Sequence, residues 1–249
     1  MFTIQDRNLL RDHVLELATT DARVVAGAVV GSLALTDGDR WSDLDLTFAI
    51  ADDYSIYDVL EDWTRKLVKE FDAAHLFDLP RGASIYRVFL LPGCLQFDLS
   101  FSPASKFGAT GPKFKLLFGS SVEKPFAQPP SAQELFGYAV HHALRARFCI
   151  ERGRYWQAEY WISGARDYTL SLACHRRGLP TSEGRGFDDL PTEVSDIFSS
   201  TLVTSLERDE LLRALTEVIN GLFSEVDELK ELANKIGPQL RELTVAWDS

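Results

Sequence analysis

The spacing of apolar positions changes period along the chain. Ile4, Leu9, Leu10, Val14, Leu15 and Leu17 recur at roughly helical intervals and predict an amphipathic helix over residues 4–18. Val24 to Val30 is a continuous apolar run closed by Gly31, which suits a buried strand. From Leu44 to Ile50 the period is two: Leu44, Leu46, Phe48 and Ile50 share one side, and Asp43, Asp45 and Thr47 the other. A second helix is predicted over 55–71, then strands near 74–79 and 85–91. The last strand, 95–101, sets Leu95, Phe97, Leu99 and Phe101 against Gln96, Asp98 and Ser100.

After Pro129 and Pro130 the periodicity is helical. Ser131, Ala132, Gln133 and Glu134 form a capping-box pattern that starts a helix reaching Arg152, where Gly153 supplies the stop. A second helix is predicted over 155–177, ended by Gly178 and Pro180. Gly184 to Pro191 reads as a loop, and the remaining residues as helix broken at Gly237 and Pro238. The chain thus reads as α+β, a sheet domain over 1–125 and a helical domain over 126–249.

Composition narrows the partners. The formal charge is −11, and no stretch concentrates the Lys and Arg that counterion release from nucleic acid demands, so no nucleic acid is expected. An apolar fraction of 45% is ordinary for a globular chain. The N-terminus carries Asp6 and Arg7 with no apolar h-region, and no apolar run approaches the ~20 residues of a membrane span. Cys94, Cys149 and Cys174 lack metal-ligand spacing and read as buried small hydrophobes of a reducing cytoplasm.

Three carboxylates sit where strands disfavour them. Asp43 and Asp45 are two apart on one predicted strand, hence on one side of it and roughly 7 Å apart at Cα. Asp98 lies midway along another. Should the two strands be neighbours, Asp98 completes a trio of hard oxygen ligands suited to Mg²⁺, which takes the rest of its shell from water and substrate phosphates. Upstream, Gly31 and Ser32 precede Asp43 by a ten-residue spacer. The glycine permits close backbone approach, and Ser32 opens a predicted short helix to about Leu35, a phosphate cradle. Cradle and carboxylates together point to phosphoryl or nucleotidyl transfer with two ions ~3.5–4 Å apart.

Gly31, Ser32, the spacer, Asp43, Asp45 and Asp98 resemble the DNA polymerase β-like nucleotidyltransferase superfamily. The trailing helical domain is similar to that of its antibiotic nucleotidyltransferases, which modify aminoglycosides or lincosamides. The resemblance implies a minimal mixed-sheet nucleotidyltransferase domain followed by an all-α helical bundle that closes over the acceptor. It implies that Ser32 contacts the triphosphate of ATP or another nucleotide, that Asp43 and Asp45 hold both Mg²⁺ ions, and that Asp98 holds the catalytic one and helps activate the acceptor hydroxyl. In several such enzymes the base is instead a separate glutamate.

Around this nucleus, Gly31, Ser32, Arg40 and Ser42 are candidate nucleotide-binding residues. Lys106, Lys113 and Lys115 read as solvated lysines of a loop over 106–119 that could reach triphosphate oxygens. In the helical half, Glu159 and Asp167 share a helix face; with Arg185 they are acceptor-binding candidates, and Trp156 or Trp161 could stack on a ring. Glu151 and Arg166 lie near them. His141 and His142 are poorly placed as a ligand pair, because adjacent helix positions diverge. The expected partners are a nucleotide and a small-molecule acceptor, with a homodimer allowed. The rivals are a protein-adenylylating enzyme resembling nucleotidyltransferase antitoxins and a non-catalytic nucleotide-binding module.

Overall fold

The computed structural model describes residues 1–35 and 38–245, in two compact units, Met1–Ala127 and Gln128–Ser249. The chain is α+β, a mixed sheet followed by helices.

The first unit contains α1 (Ile4–Thr20), β1 (Val24–Val30), β2 (Leu44–Ile50), α2 (Ile56–Phe71), β3 (Ala74–Arg81), β4 (Ser84–Leu91), β5 (Leu95–Pro103) and β6 (Phe114–Phe118). Thr3 starts α1 through a reciprocal cap with Asp6, which satisfies two of the orphan donors of a helix start. The strand order is β3-β4-β5-β2-β1-β6. Among the described residues only β2 and β5 run parallel; the other pairs are antiparallel. The parallel pair is possible because α2 and the β3–β4 hairpin carry the chain back to the starting edge of β2.

Alternation decides the faces. Phe48, Phe101, Phe97 and Phe89 point to the side where α1 contributes Leu10 and Val14 and α2 contributes Leu60, Trp63 and Leu67. Trp63 packs edge-on against Phe101, with ring centroids 5.0 Å apart. Its indole N–H donates to Asp21 at 3.0 Å, which gives the buried ring's polar atom a partner. On the opposite face, Ala26, Ala28 and Ala49 are covered by Phe107 and Phe114. Both helices therefore share one side, and the aspartates lie on the other.

Three sequence expectations are corrected here. Residues 106–119 are not all loop: Phe114 to Phe118 pairs with β1 as β6, since Phe114, Leu116 and Phe118 alternate and find an open edge. Asp43 precedes β2 rather than lying within it. Cys94 is exposed, at a positive φ of 64° in the turn before β5; only Cys149 and Cys174 are buried.

The second unit contains α3 (Ala132–Glu151), α4 (Tyr155–Arg176), α5 (Thr192–Ser199), α6 (Arg208–Ser224) and α7 (Lys230–Glu242). Ser131 and Glu134 cap α3 reciprocally. Gly178 stands at φ 67° just past α4, the left-handed geometry a helix stop favours. The break expected at Gly237 and Pro238 does not occur, and α7 runs through both. A proline inside a helix costs about 3 kcal/mol, but Ala233, Gly237 and Leu240 are buried, and that apolar stripe holds the helix together. The fully buried Arg147 donates to the Leu243 carbonyl at 2.6 Å, fastening the end of the described chain to α3. Residues 246–249 of the expected terminal helix lie outside the described residues. No helix among the described residues is long and apolar enough to cross a membrane.

Candidate active site

Parallel pairing of β2 with β5 puts Asp45 directly beside Asp98. Asp43, just before the strand, turns a carboxylate oxygen to the same place. One oxygen from each of the three lies within 4.8 Å of the others, and all three residues are half-buried. Three hard oxygen donors so close repel one another and suit a divalent cation such as Mg²⁺. Burial raises the proton affinity of Asp98, the Gln96 amide donating at 3.0 Å opposes it, and the Asp43 charge adds a smaller push upward.

Gly31 closes the site. It sits at the end of β1 with φ 69°, and a Cβ there would lie 2.3 Å from Asp45 Oδ2. Both conformation and space therefore require glycine. Its N–H donates to the Lys113 carbonyl at 3.2 Å, so the start of β6 borders the site. Gly31–Ala34 forms a single 3-10 turn that begins with Gly31 and Ser32.

The segment before the aspartates is held by a residue that sequence reading missed. Arg7, buried on α1, donates to the carbonyls of Asp39 at 2.8 Å and Ser42 at 2.6 Å. Asp39 then accepts from the Trp41 N–H at 2.8 Å and from Ser42 Oγ at 3.1 Å. Ser42 thus shapes the turn into β2. Arg40 lies 4.2 Å over the Trp41 ring and donates to the Phe2 carbonyl at 3.4 Å. The only sequence signal for Arg7 was a cation on the face of α1 otherwise given to the core. Of the loop lysines, Lys113 is at the site border, whereas Lys106 follows the far end of β5.

In the second unit, a cavity of about 710 Å³ is lined by His142, Tyr160, Ser163, Asp167, Tyr168 and Phe187, among others. Asp167 stands on its rim, its proton affinity raised by partial burial and held back by Arg166, 3.6 Å away. Glu159 is one step removed, accepting from Ser163 Oγ at 2.6 Å. Arg185 does not line the cavity; it pairs with Glu183 at 2.5 Å on the surface. Trp156 is exposed. Trp161 packs 4.8 Å from His142, which lies 4.9 Å from Tyr168, itself stacked on Tyr138 at 5.0 Å. This row between α3 and α4 explains His142: burial lowers its proton affinity, so the neutral ring packs as an aromatic. Glu151 is engaged with Arg147 and Arg208.

No family model and no curated protein matches the chain. Among solved structures it is similar to an aminoglycoside 6-adenyltransferase from Bacillus subtilis, at 13% identity and a TM-score of 0.41, over 95% of this chain and 97% of that one. It is also similar to a nucleotidyltransferase-like protein from Exiguobacterium sibiricum, at 12% identity and a TM-score of 0.40, over 93% and 80% of the two chains. Both overlaps are loose, and the functional reading rests on the aspartate geometry.

Proposed function

We propose that this protein is a Mg²⁺-dependent nucleotidyltransferase that transfers a nucleoside monophosphate, AMP from ATP in the first instance, to a hydroxyl of a small molecule and releases pyrophosphate. The observation that carries the reading is the convergence of Asp43, Asp45 and Asp98 within 4.8 Å, beside a glycine that cannot carry a Cβ.

Asp43 and Asp45 would hold the ions, with Asp98 contributing to one of them. Bound Mg²⁺ supplies neutralisation of the triphosphate charge and a lowered pKa for the acceptor hydroxyl. The rest falls to the chain. Gly31, without a side chain, leaves room for the Asp45 carboxylate, and the Ser32 hydroxyl can donate to the triphosphate. Asp98 orients the acceptor hydroxyl or takes its proton. The hydroxyl oxygen bonds to the α-phosphorus as the bond from that phosphorus to the bridging oxygen breaks. In the helical unit, Asp167 and the aromatic lining of the 710 Å³ cavity would receive a small acceptor with a cationic group, for which an aminoglycoside or lincosamide antibiotic is the first trial.

Incubation with Mg²⁺ and each of the four nucleoside triphosphates, against aminoglycosides, lincosamides and cell extract, tests this by pyrophosphate release. Turnover should appear with at least one pair and vanish in Asp43→Asn and Asp45→Asn. Activity retained in both variants would overturn the assignment.

A further inference from the structure

The sheet face that carries the aspartates ends in a pocket of opposite charge. Asp98, Ser100 and Ser102 follow one another on that face of β5, and Ser102 Oγ meets Ser84 Oγ at 2.6 Å, at the start of β4. Beyond this pair is a cavity of about 430 Å³ lined by Arg81, Ser84, Tyr86, Lys106, Thr110 and Lys124, with no carboxylate in its wall. Ser102 is four residues along β5 from Asp98, roughly 13 Å at strand rise. The pocket is therefore separate from the aspartate trio.

Its three cations are brought together by unrelated segments. Arg81 pairs with Ser84 across the tight β3–β4 turn. Lys106 ends the 3-10 turn Ala104–Lys106 after β5. Lys124 belongs to the extended segment after β6, which is fastened alongside by the Val122 N–H donating to the Phe107 carbonyl at 2.7 Å. Elsewhere in this unit arginines are held by acceptors: Arg23 by Asp21 and Asp62, Arg87 by Asp78 and Glu61, Arg7 by two carbonyls. No ion pair with a described residue holds Arg81, Lys106 or Lys124. Lys124 is half-buried and close enough to Lys106 for the two ammonium groups to repel. The chain carries a net charge of −11, yet among the described residues no carboxylate lines this pocket.

We propose that the pocket binds the diphosphate or triphosphate group of a small ligand, at a second anion site distinct from the aspartate trio. The guanidinium fork of Arg81 matches two phosphate oxygens, the lysines act as point charges, and the Thr110 and Tyr86 hydroxyls can donate to the remaining oxygens. Three cations match a linked pair of phosphates better than a single one. The group can come from free pyrophosphate or from a nucleotide. The inference stands whether or not the proposed transfer reaction does.

Isothermal titration of the full chain in EDTA, which disables the metal-dependent site, tests it with inorganic phosphate, pyrophosphate and ADP. Pyrophosphate should bind one per chain, more tightly than phosphate and more weakly as salt rises. The triple variant Arg81→Gln, Lys106→Gln, Lys124→Gln should weaken it about tenfold or more, while Asp43→Asn should bind it as the native chain does. The single variant Lys106→Glu, at an exposed turn, should weaken it too and guards against misfolding of the triple variant. Equal affinity for pyrophosphate and ADP marks the bare diphosphate as the ligand; tighter ADP marks a nucleotide. No pyrophosphate binding at millimolar concentration, equal binding of phosphate, or unchanged binding by either variant would overturn the proposal.

Discussion

Asp45 and Asp98 stand side by side on the parallel pair β2 and β5. With Asp43 their carboxylates come within 4.8 Å of one another, a concentration of like charge that the fold stabilises elsewhere. Removing one charge should therefore help the metal-free protein. In EDTA, Asp98→Asn is expected to raise the melting temperature by about 1–4 °C, while the stabilisation by added Mg²⁺ and all pyrophosphate release are lost. Scanning calorimetry with and without Mg²⁺ reads both; a lowered melting point in EDTA would count against mutual repulsion.

Gly31→Ala places a Cβ 2.3 Å from Asp45 Oδ2 at a backbone φ of 69°. The strain should destabilise the protein by about 1–2 kcal/mol, and the displaced carboxylate should lower pyrophosphate release about a hundredfold. Urea unfolding and steady-state assays would show them together. Near-native Mg²⁺ affinity in this variant would separate Gly31 from the metal site.

Arg7→Met keeps the length of a buried side chain but leaves the Asp39 and Ser42 carbonyls without their donor. Loss of those bonds is expected to cost about 1–3 kcal/mol. Because this turn delivers Asp43, activity should also fall, mainly in kcat. An unchanged kcat would mean that the turn holds its shape without Arg7.

Asp21 accepts from Arg23 and from the Trp63 indole, and these bonds, the Arg23 bond above all, hold its carboxyl well below the usual carboxylate range. A group whose folded pKa is depressed stabilises the protein above its unfolded value, about 3.9, and that stability is lost as pH falls from there through the folded value. The native chain should therefore lose stability below about pH 4 more steeply than Asp21→Asn, which should be weaker by about 1–3 kcal/mol at neutral pH. Denaturant midpoints between pH 2 and 7 give the comparison, and parallel pH profiles would argue against it.

Asp167 on the cavity rim leads to a kinetic expectation. Asp167→Asn should raise KM for a cationic acceptor about tenfold and leave KM for the nucleotide unchanged. Arg185→Gln should change neither, since Arg185 turns to Glu183 on the surface.

Much of this was legible in the sequence, for a physical reason. Period-two alternation fixes which side chains share a face of a strand, so Phe48 and Phe101 opposite Asp45 and Asp98 could be read from one dimension. Caps act within a single helical turn, so Ser131 and Glu134 marked the start of α3. Tertiary pairing decided the rest. Strand order is a matter of long-range hydrogen bonding, and it alone set Asp98 beside Asp45 and turned part of an apparent loop into β6. Pro238 obeyed the burial of α7 rather than its local propensity. Arg7 and the Arg81, Lys106 and Lys124 pocket join residues far apart in the chain. Sequence by itself determined which chemistry each strand face carries; only the tertiary structure decided which faces meet, because contact across a fold depends on packing that no local pattern encodes.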